Sequence, residues 1–306
     1  MSNKKFLQSI AALLIIVFHL WIPITNGPIE TFIIKTGYIG VDIFFFVSAY
    51  SLADKDIKYK SLLKNRFFSI YIKFVIFLLA AAVFNSMSIL RVVKSAVLIE
   101  LFEKGGGAFL WFVPAIVLFY LIYPLFIRWN CKYKMPIVLV AWLLLSIAIE
   151  RLTGYNRIFI FTNRIPVMLV GYFVKKKPLP RWFTLPCIPV GLVLLYLFGY
   201  KNRLNVPVNE MFYVVAIVFV IGLVGLSTLV KPSKIWDALS MGSLELYGLQ
   251  MVFGPKLVMW LYKIIQNKLV ANLLVLAIMF GASALFSQMY KIAILNNIKR
   301  FGRNDS

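Results

Sequence analysis

Apolar residues in this chain come in blocks separated by short basic or polar connections. Each block is about 17–25 residues or slightly less, close to the length that crosses the hydrocarbon core of a bilayer. They fall at 6–25, 37–53, 67–86, 108–127, 135–150, 164–175, 184–200, 210–230, 236–254 and 269–290. In lipid a backbone must satisfy its own polar groups, so the pattern predicts an all-α, polytopic transmembrane helix bundle of about ten spans. The block at 164–175 is short and polar at both ends. Between spans, residues 87–104 alternate apolar and charged positions with a helical period, which predicts an interfacial helix. Gly105-Gly106-Gly107 then reads as a hinge. It is not a phosphate loop, because no Lys-Ser/Thr pair follows it.

No internal repeat is evident, and no polar stretch is long enough to build a soluble domain. Residues 1–306 therefore read as a single integral-membrane domain. The first block is too long for a cleavable signal, lacks a small-residue cleavage site, and reads as the first span.

Composition adds direction to this picture. Hydrophobic residues make up 61% of the chain, against about 45–50% in soluble domains. The net charge of +22 comes from basic residues that flank the apolar blocks. That placement points to lipid headgroups and the positive-inside rule rather than to nucleic acid. More of the 33 Lys and Arg fall on the side of the N-terminus than on the opposite side, which predicts both termini in the cytoplasm. The basic residues left on the other side suit an acidic or glycan substrate. Cys131 and Cys187 both fall near the predicted cytoplasmic face, so no disulfide framework is expected. A single histidine and no Cys/His cluster leave no metal site to build.

That histidine, His19, ends the run Ile10-Ala11-Ala12-Leu13-Leu14-Ile15-Ile16-Val17-Phe18-His19. An ionisable group in such a stretch is costly to bury and marks a functional candidate. The second span carries a carboxylate in Gly40-Val41-Asp42-Ile43-Phe44-Phe45-Phe46-Val47-Ser48-Ala49-Tyr50. Helical rise puts His19 about 10 Å and Asp42 about 8 Å inside the outer ends of their spans. Two antiparallel spans with a short connection then place them at similar depth and within reach of each other. A carboxylate there would fix the imidazole tautomer; the plainer reading is a polar tie between two helices.

Glu245, near the middle of span nine, is either a second proton carrier or half of a buried Glu–Arg or Glu–Lys pair. Arg66 opens span three beside Lys64. It either snorkels to headgroups or grips phosphate, for which a guanidinium is well shaped. Arg164, at the outer edge of span six, either snorkels or meets an acceptor substrate. Trp111 opens an aromatic-rich fourth span.

Several of these segments together resemble the membrane-bound acyltransferase-3 family. Ser9 to His19 is similar to its first span, and Gly40 to Tyr50 to its Gly-Val-Asp-x-Phe-Phe-x-x-Ser-Gly-Phe segment. Trp111-Phe112 with Tyr120 and Pro124, and Gly242-Ser243-Leu244 with Tyr247, resemble two later signatures. The chain departs from the pattern at Gln8, where the family often has Arg, with Lys5 one turn earlier as a substitute. It departs again at Gln250, which replaces a late His, and at Ala49, which replaces Gly.

The resemblance implies a bacterial inner-membrane O-acyltransferase, most simply an O-acetyltransferase. Its donor would be cytoplasmic acetyl-CoA, and its acceptor a hydroxyl of a cell-surface glycan or lipid-linked saccharide. His19 would be the general base, with Asp42, Ser48 and Glu245 completing the catalytic set. Arg66, Lys64, Lys176 and Tyr50 would hold the donor; Trp111, Arg164 and Tyr247 would face the acceptor. The competing readings are a proton-coupled transporter or flippase using His19, Asp42 and Glu245, and a non-catalytic relative of the family.

Overall fold

The computed structural model describes residues 4–53, 67–103, 110–130, 135–153, 161–200 and 208–292. Within them every regular element is helical. The first helix, α1 (Lys4–Leu20), lies at the centre of the bundle, packed by α2 (Pro28–Thr36), α3 (Gly40–Leu52) and several later helices. A 3₁₀ turn at Gly37–Ile39 joins α2 to α3. The chain therefore runs helically from Pro28 to Leu52, a stretch long and apolar enough to cross a membrane.

The second span was expected to begin at 37. It starts a helix earlier because Pro28, with its preset φ, occupies the first turn of α2. The first span was expected to reach residue 25 but stops at Leu20. There the chain turns over a loop gathered by Glu30. The Glu30 carboxylate accepts from Trp21 Nε1 (2.9 Å), Ile24 N (2.7 Å), Thr25 N (2.8 Å) and Asn26 N (3.1 Å). Asn272 closes the other side of the loop, accepting from Ile22 N at 2.9 Å and donating to Ile22 O at 2.8 Å.

After α4 (Phe68–Phe84) comes the short α5 (Ile89–Ala96), capped by Ser88. It leaves Ile89, Leu90 and Val93 exposed, while Arg91 pairs with Glu100 and Lys94 with Glu103. One apolar face and one ion-paired face give it an amphipathic character, over a helix shorter than the one expected across 87–104. The glycine hinge lies outside the described residues.

Next come α6 (Phe112–Asn130), α7 (Met135–Thr153) and α8 (Ile165–Lys176), then α9 (Arg181–Thr184) and α10 (Cys187–Leu194), which runs into a π turn over Leu195–Tyr200. The chain continues through α11 (Val208–Ser227), α12 (Lys234–Ser240), α13 (Ser243–Val252), α14 (Gly254–Ile265) and α15 (Lys268–Tyr290).

The ninth apolar block, expected as one span over 236–254, is thus two helices. Gly242 breaks it, with φ +71° at the N-cap of α13, a left-handed conformation that glycine adopts without penalty. The helix α14 was not foreseen; Pro255 sits in its first turn, where proline's missing N–H costs nothing.

Among the described residues, Pro28–Leu52, Arg181–Phe198 and Lys268–Tyr290 are long and apolar enough to cross a membrane. Phe68–Phe84, Phe112–Ile122, Met135–Ile149 and Val214–Ser227 are shorter apolar helices.

Close helix approach sets the core. A Cβ on Gly40 would run into the Ala11 carbonyl of α1, and one on Gly171 into the Phe46 carbonyl of α3. Small residues at such crossings let membrane helices pack backbone to backbone. Through these contacts α3 is wedged between α1 and α8.

Candidate active site

His19 stands in the last turn of α1, not in mid-span, and its ring is exposed there. Its Nδ1 lies 2.9 Å from the Ile15 carbonyl one turn back. A carbonyl only accepts, so Nδ1 carries the hydrogen and donates it, and Nε2 keeps the lone pair. The Gln250 amide lies 3.5 Å from the same nitrogen, bringing α13 to the end of α1.

Asp42 is not beside His19. The α1–α3 crossing sets Gly37 against Leu14 and Phe18, and Gly40 against Ala11 and Ile15. In that antiparallel register Asp42 lies roughly 12 Å along the axis from His19, at 1.5 Å of rise per residue. The expected contact fails because α1 stops at Leu20, which moves His19 to the helix end. Asp42 instead pairs with Arg164 (Nε to Oδ1, 3.4 Å). Arg164 is 4% exposed, so it does not snorkel. Its Nη1 donates to Asn163 Oδ1 at 2.6 Å, and its guanidinium covers the Trp111 ring at 5.2 Å. Three predicted site residues, Asp42, Arg164 and Trp111, thus form one buried cluster. Tyr38 links it to the histidine through edge-on ring contacts with Phe18 (5.6 Å) and of Phe18 with His19 (4.9 Å).

Glu245, 2% exposed, pairs with Lys73 of α4 at 2.6 Å. The Lys73 ammonium also caps the Tyr290 ring at 4.7 Å. Of the two readings open for Glu245, the structure contains the buried Glu–Lys pair.

The remaining polar candidates converge elsewhere. Ser48 opens onto a cavity of about 140 Å³ between α1, α3, α6 and α13, whose wall includes Gln8, Tyr120 and Ser243. Toward His19 a second hollow of about 10 Å³ is walled by Ala12, Ile15, Phe44, Tyr247 and Gln250. Tyr247 is buried, edge-on to Phe112 at 5.6 Å. The walls follow helical spacing. Gln8, Ala12, Ile15 and His19 occupy one face of α1; Ser243, Tyr247 and Gln250 occupy one face of α13. The face of α1 was open to a helical reading of the sequence. The faces of α3 and α13 that meet it depend on crossings that no local pattern reveals.

Tyr50 stacks on Phe46 at 5.7 Å and lies beneath the Lys175 ammonium at 5.0 Å. Lys176 lies over Tyr172 instead, at 6.0 Å. Lys64 and Arg66 lie outside the described residues. Lys5, one turn before Gln8, pairs with Asp237 of α12 at 2.8 Å. Gln8 itself faces the cavity.

The family model described as an acyltransferase domain, that of acyltransferase-3, matches residues 5–290. The chain belongs to the acyltransferase-3 family. The match spans α1 to α15 and so contains both hollows and both buried ion pairs. No curated protein and no solved structure is significantly similar to the chain. As a member of acyltransferase-3 it is a membrane acyltransferase, consistent with its apolar helices.

Proposed function

We propose that this acyltransferase moves an acyl group, most simply acetyl, from cytoplasmic acyl-CoA to a hydroxyl of a surface glycan or its lipid-linked precursor. The observation that carries the reading is the imidazole of His19. It is tied through Nδ1 to Ile15 O, accessible at the helix end, and in line with a polar cavity deeper in the bundle. Nε2 takes the proton of the acceptor hydroxyl as its oxygen bonds to the thioester carbonyl carbon. The carbon–sulfur bond then breaks, and the CoA thiolate leaves with the proton held by the imidazolium. A positioned base contributes about 10²–10⁴-fold.

Asp42 and Arg164 act here as a positioning pair that holds Trp111 beside the acceptor path. Ser48, with Tyr120 and Ser243, lines the donor cavity, where hydroxyls can stabilise a developing oxyanion. Lys176 and Tyr50 hold the CoA phosphates at the Lys175 end of the bundle, which we place in the cytoplasm of a bacterium; Lys64 and Arg66 we assign to the same donor from the sequence alone. Tyr247 shapes the wall between donor and acceptor. Glu245 we assign to its pair with Lys73. That pair and the Asp42–Arg164 pair speak against a proton relay, since each carboxylate already faces a cation.

The test uses purified protein. Acetyl-CoA should raise the apparent melting temperature, as any specific ligand of the folded state does. Release of CoA should require a hydroxyl acceptor and fall about 10²–10⁴-fold in His19→Ala, with the thermal shift retained. Full transfer by His19→Ala would overturn the base assignment. The absence of any shift or CoA release with acyl-CoAs would overturn the acyltransferase reading of the donor.

A further inference from the structure

The two hollows beside α1 differ in size by more than tenfold and share two walls, Phe44 and Ser243. The larger holds about 140 Å³. The smaller, about 10 Å³, has room for roughly one water or one methyl group. It is the smaller one that is walled by Ile15 and Gln250, the two residues whose polar groups lie beside Nδ1 of His19. Phe44 is the only large ring among the shared walls, and it is 8% exposed.

Its position is fixed from several sides. Phe112 packs on Phe44 at 5.9 Å, and Phe112 is in turn held by Phe45 at 5.1 Å and Tyr247 at 5.6 Å. The helix that carries Phe44 cannot slide, because Gly40 and Gly171 bring its backbone against α1 and α8. The same hollow is walled by Ala12, whose methyl cannot swing away.

We propose that Phe44 is the residue that limits the length of the acyl chain able to reach His19. The inference rests on the acyltransferase reading above. A two-carbon acyl group passes Phe44 with its methyl in the small hollow. Each further methylene must displace the Phe44 ring or the Tyr247–Phe112 pair behind it. The specificity is thus steric, set at one position of α3, and separate from the groups that bind CoA or move the proton.

The experiment is CoA release by the purified protein with acetyl-, propionyl-, butyryl- and hexanoyl-CoA, each with a glycan-bearing cell-envelope extract as the hydroxyl acceptor, comparing kcat/KM ratios. The wild type should fall off sharply beyond acetyl. Phe44→Ala joins the two hollows and should raise the hexanoyl-to-acetyl ratio about tenfold or more, on the scale of a methylene-sized pocket contact. Phe44→Leu, a milder change that keeps the core filled, should give an intermediate ratio. A wild type that uses hexanoyl-CoA as well as acetyl-CoA overturns the proposal. So does an unchanged ratio in Phe44→Leu, while acetyl transfer by the same preparation leaves the underlying function standing. A wild type that releases CoA from none of the four overturns both.

Discussion

Arg164 sits at the N-cap of α8, where the helix dipole presents partial positive charge. A buried cation there is doubly unfavourable, and Asp42 with Asn163 offsets the cost. Breaking a buried pair from one side strands the other charge, at about 3–5 kcal/mol. Arg164→Ala should therefore lower stability by about that amount, and the double variant Asp42→Asn, Arg164→Gln should recover part of it. Thermal unfolding in detergent reads both; equal stability of Arg164→Ala and wild type would remove the pair as a structural element. Asn272 makes a smaller case. Replacing it with Leu leaves the Ile22 amide and carbonyl without their partner, at about 1–3 kcal/mol, measurable in the same assay.

At the scale of elements, spacing carried much of the architecture but not its interruptions. The apolar blocks gave α1, α3, α4, α8 and α15 close to their places, since burial in lipid selects length and hydropathy directly. The breaks escaped because they arise from single residues acting against a continuous apolar run. Gly242 divides the ninth block, and Glu30 halts α1 from beyond its end. The candidate site was legible in the same uneven way. Ser48 and Tyr247 line the two hollows and His19 stands one turn beyond Ile15 of the smaller one, whereas Asp42 was assigned the wrong partner through a helix drawn too long. Arg164, read as an edge residue, is in the interior.

The α4–α13 crossing offers a direct test of this packing. A side chain at Gly248 would occupy the Phe77 ring, which stacks on Phe286 at 5.2 Å. Gly248→Val should cost about 1–3 kcal/mol as overpacking, and Phe77→Ala in the same chain should relieve part of it. An unchanged melting temperature in Gly248→Val would show that the two helices do not meet there.

For the whole molecule, the helices set two ends apart: one with His19 and the loop over Glu30, the other with Lys5, Lys175 and Lys176. The proposed orientation puts the first outside and the second in the cytoplasm. With Cys131 and Cys187 changed to Ser, Pro28→Cys should react with a membrane-impermeant maleimide in intact cells. Lys177→Cys should react only after permeabilisation. The reverse labelling would invert the bundle and with it the side on which the donor enters.

The stations along α1 belong to one unbroken helix, so their spacing cannot change during turnover. From Gln8 to His19 the rise amounts to about 16 Å. Nothing in a rigid rod ferries a group over that interval; the reach has to come from the donor. If the donor is the acyl-CoA proposed above, its thioester rides at the tip of a long, thin, flexible arm, and that arm, not a helix movement, carries the acyl group toward the histidine. On that reading the length of one helix is a yardstick for the arm that a donor needs.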